Sequence, residues 1–473
     1  MNLEPTIGLE IHLELKTETK MFCDCLNDSN ETHPNVNICE ICSGQPGTLP
    51  SLNKNAVIFA LKLAQALKTK INEKSFFARK NYFYPDLPKG YQISQYESPL
   101  AEKGEMEYWL GSEKKKAAIR RIHLEEDTAR LIHTNDASLV DFNRAGLPLL
   151  EIVTEPDFHS AKEARAFAEE LILLIRYLKI STANLEKGEV RLEANISLGP
   201  AGELGVKVEI KNLNSLRAVE EAIEAEIKRQ KDLIEKGDRV KQETRGWNEN
   251  AKQTFSQRTK EEAEDYRYFP EPDLPPLLIN QELLDQAIMP ELPSQRRARF
   301  QKEFRLNFNQ ANFLTRDERL GSFFEEAVSE LAELGSNQTE SLYNFLANDL
   351  AGLLNANQKN FEDIGLTPHH FAHLIYKFEK KEYSSKIVKD ILNQVVISAK
   401  PLEELLQKKI KINDEEIVSD LIKKIIAENP KVVQDYKSGK GSALQFIIGL
   451  AMKETQGQVD PEICRQTIKS QLE

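Results

Sequence analysis

From Ile7 to Leu15 the chain alternates without a break: Ile7, Leu9, Ile11, Leu13 and Leu15 are apolar, and Gly8, Glu10, His12 and Glu14 between them are not. A repeat of two is that of a β-strand, whose successive side chains point to opposite faces. The segment therefore predicts a strand with one face in a core and the other carrying Glu10, His12 and Glu14. The pattern recurs. Arg121, His123, Glu125 and Asp127 oppose Ile122, Leu124 and the methylene stem of Glu126; Glu189, Arg191, Glu193 and Asn195 oppose Val190, Leu192, Ala194 and Ile196. Lys207, Glu209 and Lys211 oppose Val206, Val208 and Ile210, and Leu149, Glu151 and Val153 form a less regular set after the turn-prone Arg144-Ala145-Gly146-Leu147-Pro148.

Helical periodicity interrupts this region twice. Ser160-Ala161-Lys162-Glu163 has capping-box spacing ahead of Phe167, Leu171, Leu174 and Leu178. Ser215 opens a second helix through Val219, Ile223 and Ile227, closed by Gly237. Tyr266 to Pro276 holds four prolines and predicts an extended crossing segment. From Pro293 the texture turns helical: Leu320, Phe323, Phe324 and Val328 suit one helix, and Thr367-Pro368 is an N-cap with proline at the first helical position. A further break at Pro401 precedes a short helical unit whose Gly439-Lys440-Gly441-Ser442 loop separates Tyr436 from Phe446. The expected fold is α+β: a large domain over 1–292 with a mainly antiparallel sheet, then two small all-helical domains over 293–402 and 403–473.

Composition changes this picture only at its edges. With 473 residues, 40% hydrophobic and 29% charged, the chain has an ordinary globular make-up and no apolar run long enough for a membrane span. Met1-Asn2-Leu3-Glu4-Pro5 has no basic region, so no signal or transit peptide is expected and the cytoplasm is the expected location. Lys and Arg number 63 against 75 Asp and Glu, a formal charge of −12. A general basic field for polyanions is thereby excluded, and contact with nucleic acid has to be local and selective.

Two features carry candidate chemistry. Antiparallel sheets often turn one polar face to water, and each strand taken singly fits that reading. Carboxylates gathered with a histidine and arginines over several strands also fit a second reading, because clustered carboxylates repel unless a cation neutralises them. Hard oxygen ligands suit Mg²⁺ bridging to phosphate, and arginines grip phosphate oxygens. No Walker phosphate loop, dinucleotide fingerprint or Gly-x-Ser-x-Gly elbow is present, so any ATP would be held without the common phosphate loop. The second feature is Cys23-Asp24-Cys25 with Cys39-Glu40-Ile41-Cys42, four of the five cysteines. Four thiolates can close a tetrahedral Zn²⁺ shell, which makes a structural site; reduced buried thiols are the alternative. His33 is a candidate replacement for one sulfur or a solvated loop residue. Cys464 stands alone in a predicted helix.

Longer stretches resemble the B subunit family of aspartyl/glutamyl-tRNA(Asn/Gln) amidotransferases. They include Ile7-Gly8-Leu9-Glu10-Ile11-His12, Arg79 to Gln95, Leu124-Glu125-Glu126-Asp127, Pro148 to Asp157, Lys211 to Ser215, Asp265 to Asp273, and Asp435 to Gly441. The resemblance implies a cradle-shaped catalytic domain, a helical domain and a tail that contacts tRNA. It implies ATP-dependent phosphorylation of the side-chain carboxylate of Glu-tRNA(Gln) or Asp-tRNA(Asn), then amidation by ammonia from a glutaminase A subunit, with a small C subunit belting the pair into a heterotrimer. The chain itself shows no amidase signature and no glutaminase cysteine, which agrees with a borrowed ammonia supply.

On this resemblance Glu10, His12, Glu125 and Glu151 are the expected catalytic residues and Mg²⁺ ligands. Lys80, Tyr82, Lys89 and Arg121 are the expected phosphate and substrate contacts, and Cys23, Cys25, Cys39 and Cys42 the zinc ligands. Tyr82, Phe83 and Tyr84 could stack on a base, and Lys431, Lys437, Lys440 and Lys453 accompany the tail loop. A hydrogen-bonded polar wall for the carboxylate quartet, surface ion pairs for the basic contacts, a partly core position for the aromatic run and a solvated lysine face for the tail are the alternatives; a non-catalytic tRNA-binding scaffold is the alternative function. Arg191-Leu192-Glu193 stands where the family carries Arg-x-Asp, and some family members lack the cysteine quartet, so zinc is not expected to be needed for the reaction.

Overall fold

The computed structural model describes residues 3–259, 266–398, 415–438, 440–455 and 459–472. Asp265 of the motif ending at Asp273, Pro401 at the expected break and Gly439 of the expected tail loop lie outside the described residues. The chain divides into two compact units, Met1–Gln295 and Arg296–Glu473.

Among its described residues the first unit has sixteen strands: β1 (Leu3–Glu14), β2 (Lys70–Ile71), β3 (Lys74–Ser75), β4 (Ala78–Asn81), β5 (Tyr91–Ser94), β6 (Ala101–Leu110), β7 (Glu113–Glu126), β8 (Arg130–His133), β9 (Ser138–Asp141), β10 (Pro148–Thr154), β11 (Val190–Pro200), β12 (Val208–Leu213), β13 (Glu243–Asn248), β14 (Gln253–Thr259), β15 (Phe269–Pro270) and β16 (Leu277–Leu278). Twelve of them form one sheet in the order β14-β13-β12-β11-β1-β10-β7-β5-β4-β15, with β6 on β7 and β2 on β6. All its pairings are antiparallel except β12 with β13. The pairs β16-β3 and β8-β9 stand apart from it.

The alternation seen in the sequence sorts these strands as expected. Ile7, Leu9, Ile11 and Leu13 of β1, Ile122 and Leu124 of β7, and Val190, Leu192, Ala194 and Ile196 of β11 all enter one apolar core. Helices Lys54–Ala66, Ala161–Tyr177 and Leu216–Glu235 contribute Leu61, Phe167, Leu171, Val219 and Ile223 to it. Val206 differs from expectation. It is exposed, because β12 begins only at Val208. A register shift follows at Leu192/Ala194, where Asn212 adopts a left-handed conformation with φ 66°. Asparagine tolerates that region, and the extra residue returns Leu213 to the core while Lys211 keeps the polar side.

The predicted helix starts hold in detail. Ser160 Oγ accepts from Glu163 N at 3.2 Å and Ser215 Oγ from Ala218 N at 3.0 Å. The return bond at the first helix differs from a capping box. Glu163 Oε2 accepts from His159 N, one residue earlier, at 2.7 Å, while its other oxygen binds Lys115 Nζ at 2.6 Å. Ser160→Ala should therefore cost about 1 kcal/mol, read as a lower denaturant midpoint with an unchanged slope. A shift indistinguishable from zero would mean that Glu163 alone fixes this helix start.

The second unit is helical. Phe300, Leu314, Phe324, Leu346, Phe371 and Ile391 belong to one apolar cluster. Val418, Ile422, Ile447, Cys464 and Ile468 belong to another, in which the Cys464 thiol is buried. The helix Glu318–Glu333 buries Leu320, Phe323 and Phe324, and Thr367 caps Pro368–Glu379 with proline in its first turn.

Candidate metal and phosphoryl-transfer site

Register turns separate sequence patterns into one face. In β1, His12 lies opposite Glu151 of β10 on one side and Arg191 of β11 on the other. Glu151 lies opposite His123 of β7, Leu149 opposite Glu125, and Val153 opposite Arg121. Glu10 lies opposite Glu193, and the next strand adds Glu209 and Lys211. The core on the reverse side fixes this register, since a slip of one residue would drive the charges into it. The result is a cleft of ≈ 820 Å³ lined by Glu10, His123, Glu125, Glu151, Arg121 and Lys80 among others. An adjoining cavity of ≈ 230 Å³ is lined by His12, Tyr82, Asp127, Arg191 and Glu193 and shares Glu10, Lys80, Glu125 and Lys211.

The innermost groups are packed closely. His12 Nε2 lies 3.5 Å from Glu125 Oε1, 3.5 Å from Glu151 Oε2 and 3.9 Å from Glu10 Oε1. His123 Nε2 lies 3.2 Å from Glu151 Oε2 and 3.9 Å from Glu125 Oε2. Glu125 is 3% exposed and His123 1%, so this is not the water-facing side of an antiparallel sheet. Burial works against the charge on His12 and His123, but the facing carboxylates prevail and raise both to about 9. Burial and the nearby Glu151 and Glu193 push Glu10 up to about 7. Against its burial, Glu151 is held well below the usual carboxylate range by His123 and His12. Carboxylates gathered in a buried place demand positive charge, which protons on the histidines supply here and a cation could supply in their stead.

Among the described residues, three sets of side chains bring ligand atoms within 4.8 Å of one another on this face: Glu10-His12-Glu151, His123-Glu125-Glu151 and Glu10-Glu193-Glu209. Of the expected quartet, Glu10, Glu125 and Glu151 each come within 3.9 Å of His12 Nε2, while Glu10 and Glu125 fall in different sets. Lys80, Tyr82 and Arg121 stand at its margins, with Lys80 Nζ 5.0 Å from the Tyr266 ring centroid. Lys89 is not brought in. It pairs with Glu126, whose side chain leaves β7 on the side opposite Glu125, and it lies 5.6 Å from the Tyr91 ring. Of the aromatic run only Tyr82 faces the cavity; Phe83 and Tyr84 are exposed.

Sequence reasoning left several lining residues without a role. His123, Glu193, Glu209 and Lys211 were visible in the alternation, but only pairing across strands makes them neighbours of Glu10 and Glu151. Tyr96, Tyr266 and Tyr268 gave no periodic signal, since they come from connecting segments.

The cysteines form a second site. All four Sγ atoms lie within 4.8 Å of one another, with Cys25–Cys42 and Cys39–Cys42 both at 3.9 Å. A tetrahedron with Zn–S bonds of ≈ 2.3 Å has S···S edges of about 3.8 Å, so the set fits zinc. Cys42 is held down at about 4 by a hydrogen bond from Cys23, assisted by the Cys39 N–H and the Lys20 ammonium. That favours the thiolate, the form that binds metal. Lys20 Nζ, buried with it, reaches Cys42 Sγ at 3.7 Å and the Ala145 carbonyl at 2.8 Å. His33 is exposed and bonded to Glu31 rather than turned to the sulfurs.

Residues 5–285 match the family model described as the GatB/GatE catalytic domain, and residues 322–472 that described as the GatB domain. The chain is 45% identical over 485 residues to a Thermotoga maritima protein, the B subunit of an aspartyl/glutamyl-tRNA(Asn/Gln) amidotransferase, covering all of both chains. It is 43% identical over 480 residues to the protein of that name from Carboxydothermus hydrogenoformans, covering 99% of this chain and 98% of that one. The Persephonella marina protein of the same name is 42% identical over 478 residues, again covering both completely.

Proposed function

The chain belongs to the GatB family of tRNA-dependent amidotransferase B subunits, and on that premise we propose that its polar cleft carries out the ATP-dependent activation and amidation of misacylated tRNA. The substrate is the side-chain carboxylate of Glu-tRNA(Gln), Asp-tRNA(Asn) or both. A carboxylate resists ammonia because its oxygen does not leave. Transfer of the γ-phosphoryl group of ATP to that oxygen gives an acyl phosphate and ADP. Ammonia then attacks the carbonyl carbon, the carbon–nitrogen bond forms, the bond to the phosphorylated oxygen breaks, and phosphate departs as the nitrogen sheds a proton.

The observation that carries this reading is the meeting of Glu10, His12, Glu125 and Glu151 on one part-buried polar surface beside a cleft large enough for a nucleotide. These residues, with carboxylate oxygens in the majority, would hold Mg²⁺; such an ion supplies charge neutralisation at phosphoryl oxygens. Lys80 and Arg121 attract the phosphates from the margins. Tyr82 lines the smaller cavity beside His12 and Glu125. Lys89 takes no part; its role is the pair with Glu126. A scaffold that only presents charged tRNA would have no need of acids packed in this way. The side chains of Cys23, Cys25, Cys39 and Cys42 would hold Zn²⁺ as a structural clamp.

The ammonia reaches the cleft from a glutaminase A subunit, and a small C subunit completes a heterotrimer. No helix among the described residues is long and apolar enough to cross a membrane, and the cytoplasm, where charged tRNA is used, is the proposed location. We keep three domains, 1–292, 293–402 and 403–473, with the last contacting tRNA by shape more than by charge; its Lys440 is paired with Asp435 at 2.7 Å.

The test is made with the full chain alone. Given ATP, misacylated tRNA and free ammonium, it should form amidated tRNA, and with glutamine in place of ammonium it should form none. Binding of the tRNA without amidation under ammonium would leave the scaffold as the surviving function.

A further inference from the structure

The cations on the polar face fall into two kinds. Arg144 bonds Asp127 at 2.7 Å and Arg191 bonds it at 2.8 Å. Lys211 reaches Glu193 at 3.0 Å, and Arg120 bonds Glu155 at 2.6 Å. Each of these residues has at least one donor committed to a carboxylate. Arg121 is different. Its closest carboxylate approach is to Glu151 Oε1 at 3.6 Å, beyond hydrogen-bond reach, and its Nε is buried with no hydrogen-bond partner among the described residues.

What Arg121 has instead is a ring. Its Cζ lies 4.3 Å from the Tyr96 centroid, and Tyr96 stacks on Tyr268 with centroids 5.0 Å apart and planes 14° from parallel. Three layers thus come from three separate places: β7, the segment after β5, and the segment before β15. Tyr268 is buttressed edge-on by Tyr266, which in turn meets Tyr82. Stacking on a guanidinium face restrains its plane without using any N–H, and so differs from an anchoring carboxylate, which occupies the fork.

We propose that Tyr96 and Tyr268 are positioning residues that hold the Arg121 guanidinium flat at the cleft and keep its N–H edge free for the oxygens of the phosphoryl group in transfer. This deepens the function proposed for the cleft and rests on it. Charge on those oxygens is redistributed as the phosphoryl group moves, so a donor fork held in place acts on the transfer more than on nucleotide binding. Tyr96 is 45% exposed and is not a core residue, so its replacement leaves the fold in place.

The experiment is a double-mutant cycle in the assembled amidotransferase, following tRNA-dependent ATP cleavage. Arg121→Ala should lower kcat by about 10²-fold, and Tyr96→Ala by about tenfold with KM for ATP nearly unchanged. Tyr96→Phe should retain the native rate, because the ring and not the hydroxyl carries the stack. In the Arg121→Ala background Tyr96→Ala should add nothing, and Tyr268→Leu should repeat the behaviour of Tyr96→Ala. Multiplicative losses in the double variant, or a Tyr96→Phe enzyme as slow as Tyr96→Ala, would overturn the proposal. A parallel Glu151→Gln enzyme separates the two failures: if it is dead while the cycle is multiplicative, only the positioning role falls; if it is active, the reading of the cleft falls.

Discussion

With Glu151 replaced by glutamine, ATP cleavage that depends on misacylated tRNA should drop by ~10³-fold or more, while the protein stays folded. Glu151 is chosen over its neighbours because two candidate ligand sets share it, Glu10-His12-Glu151 and His123-Glu125-Glu151. It stands 3.5 Å from His12 Nε2 and 3.2 Å from His123 Nε2, so its charge underlies the arrangement on both sides. Glutamine keeps the size of the side chain and one carbonyl oxygen but removes the negative charge that draws a cation. The strand itself should survive, because Leu150 and Ile152 on its other face remain in the core. Glu10→Ala and Glu125→Ala should behave likewise. The measurement is phosphate release with and without Glu-tRNA(Gln) or Asp-tRNA(Asn), beside a thermal melt. A folded Glu151→Gln protein that turns over at the native rate would remove the cleft from the reaction.

Replacing Cys42 with serine should release the zinc and lower the stability of the first unit by several kcal/mol, a large part of the ~5–15 kcal/mol that holds a domain together. The reason is local. Between Thr17 and Asn53 the described chain has no named strand or helix, and Val36 and Leu49 are more than half exposed. Met21 and Phe22 enter the main core, but the rest of the segment buries few apolar side chains, too few to offset the ordering of that many residues, and four sulfurs tied to one ion can. Cys42 is the decisive member because both 3.9 Å sulfur contacts run through it and Lys20 and the Cys39 N–H converge on it. Metal analysis should find about one zinc per chain in the native protein and close to none in the variant, with early proteolytic cuts in this segment. Activity at low temperature should persist, since zinc is outside the proposed chemistry. Native protein made in zinc-supplied medium yet free of the metal would refute the clamp.

The division between what was readable early and what was not follows the range of the forces involved. Alternation along one strand is local: the pleat sends Glu10 and His12 to one side and Leu9 and Ile11 to the other, whatever else the chain does. The faces of β1, β7 and β11, the caps at Ser160, Ser215 and Thr367, and the closeness of the two cysteine pairs were therefore legible, and long family motifs supplied the activity. Lys89 shows where that reading ends. It lies in a motif shared with Lys80, and nothing local tells that it will meet Glu126 on the far side of β7 instead of Glu125 on the near side.

The sequence by itself determined which residues could share a surface, that a zinc shell was feasible, and to which family the chain belongs. The tertiary structure alone decided that His123 and Glu151 face each other, that Glu193 and Glu209 extend the acidic floor, and that Tyr96 and Tyr268 stack beneath Arg121. Those contacts depend on strand order and register between segments as much as about 200 residues apart (Glu10 to Glu209), set by the packing of the common core on the reverse face of the sheet. Side-chain parity is a property of one strand, and neighbourhood is a property of the whole sheet.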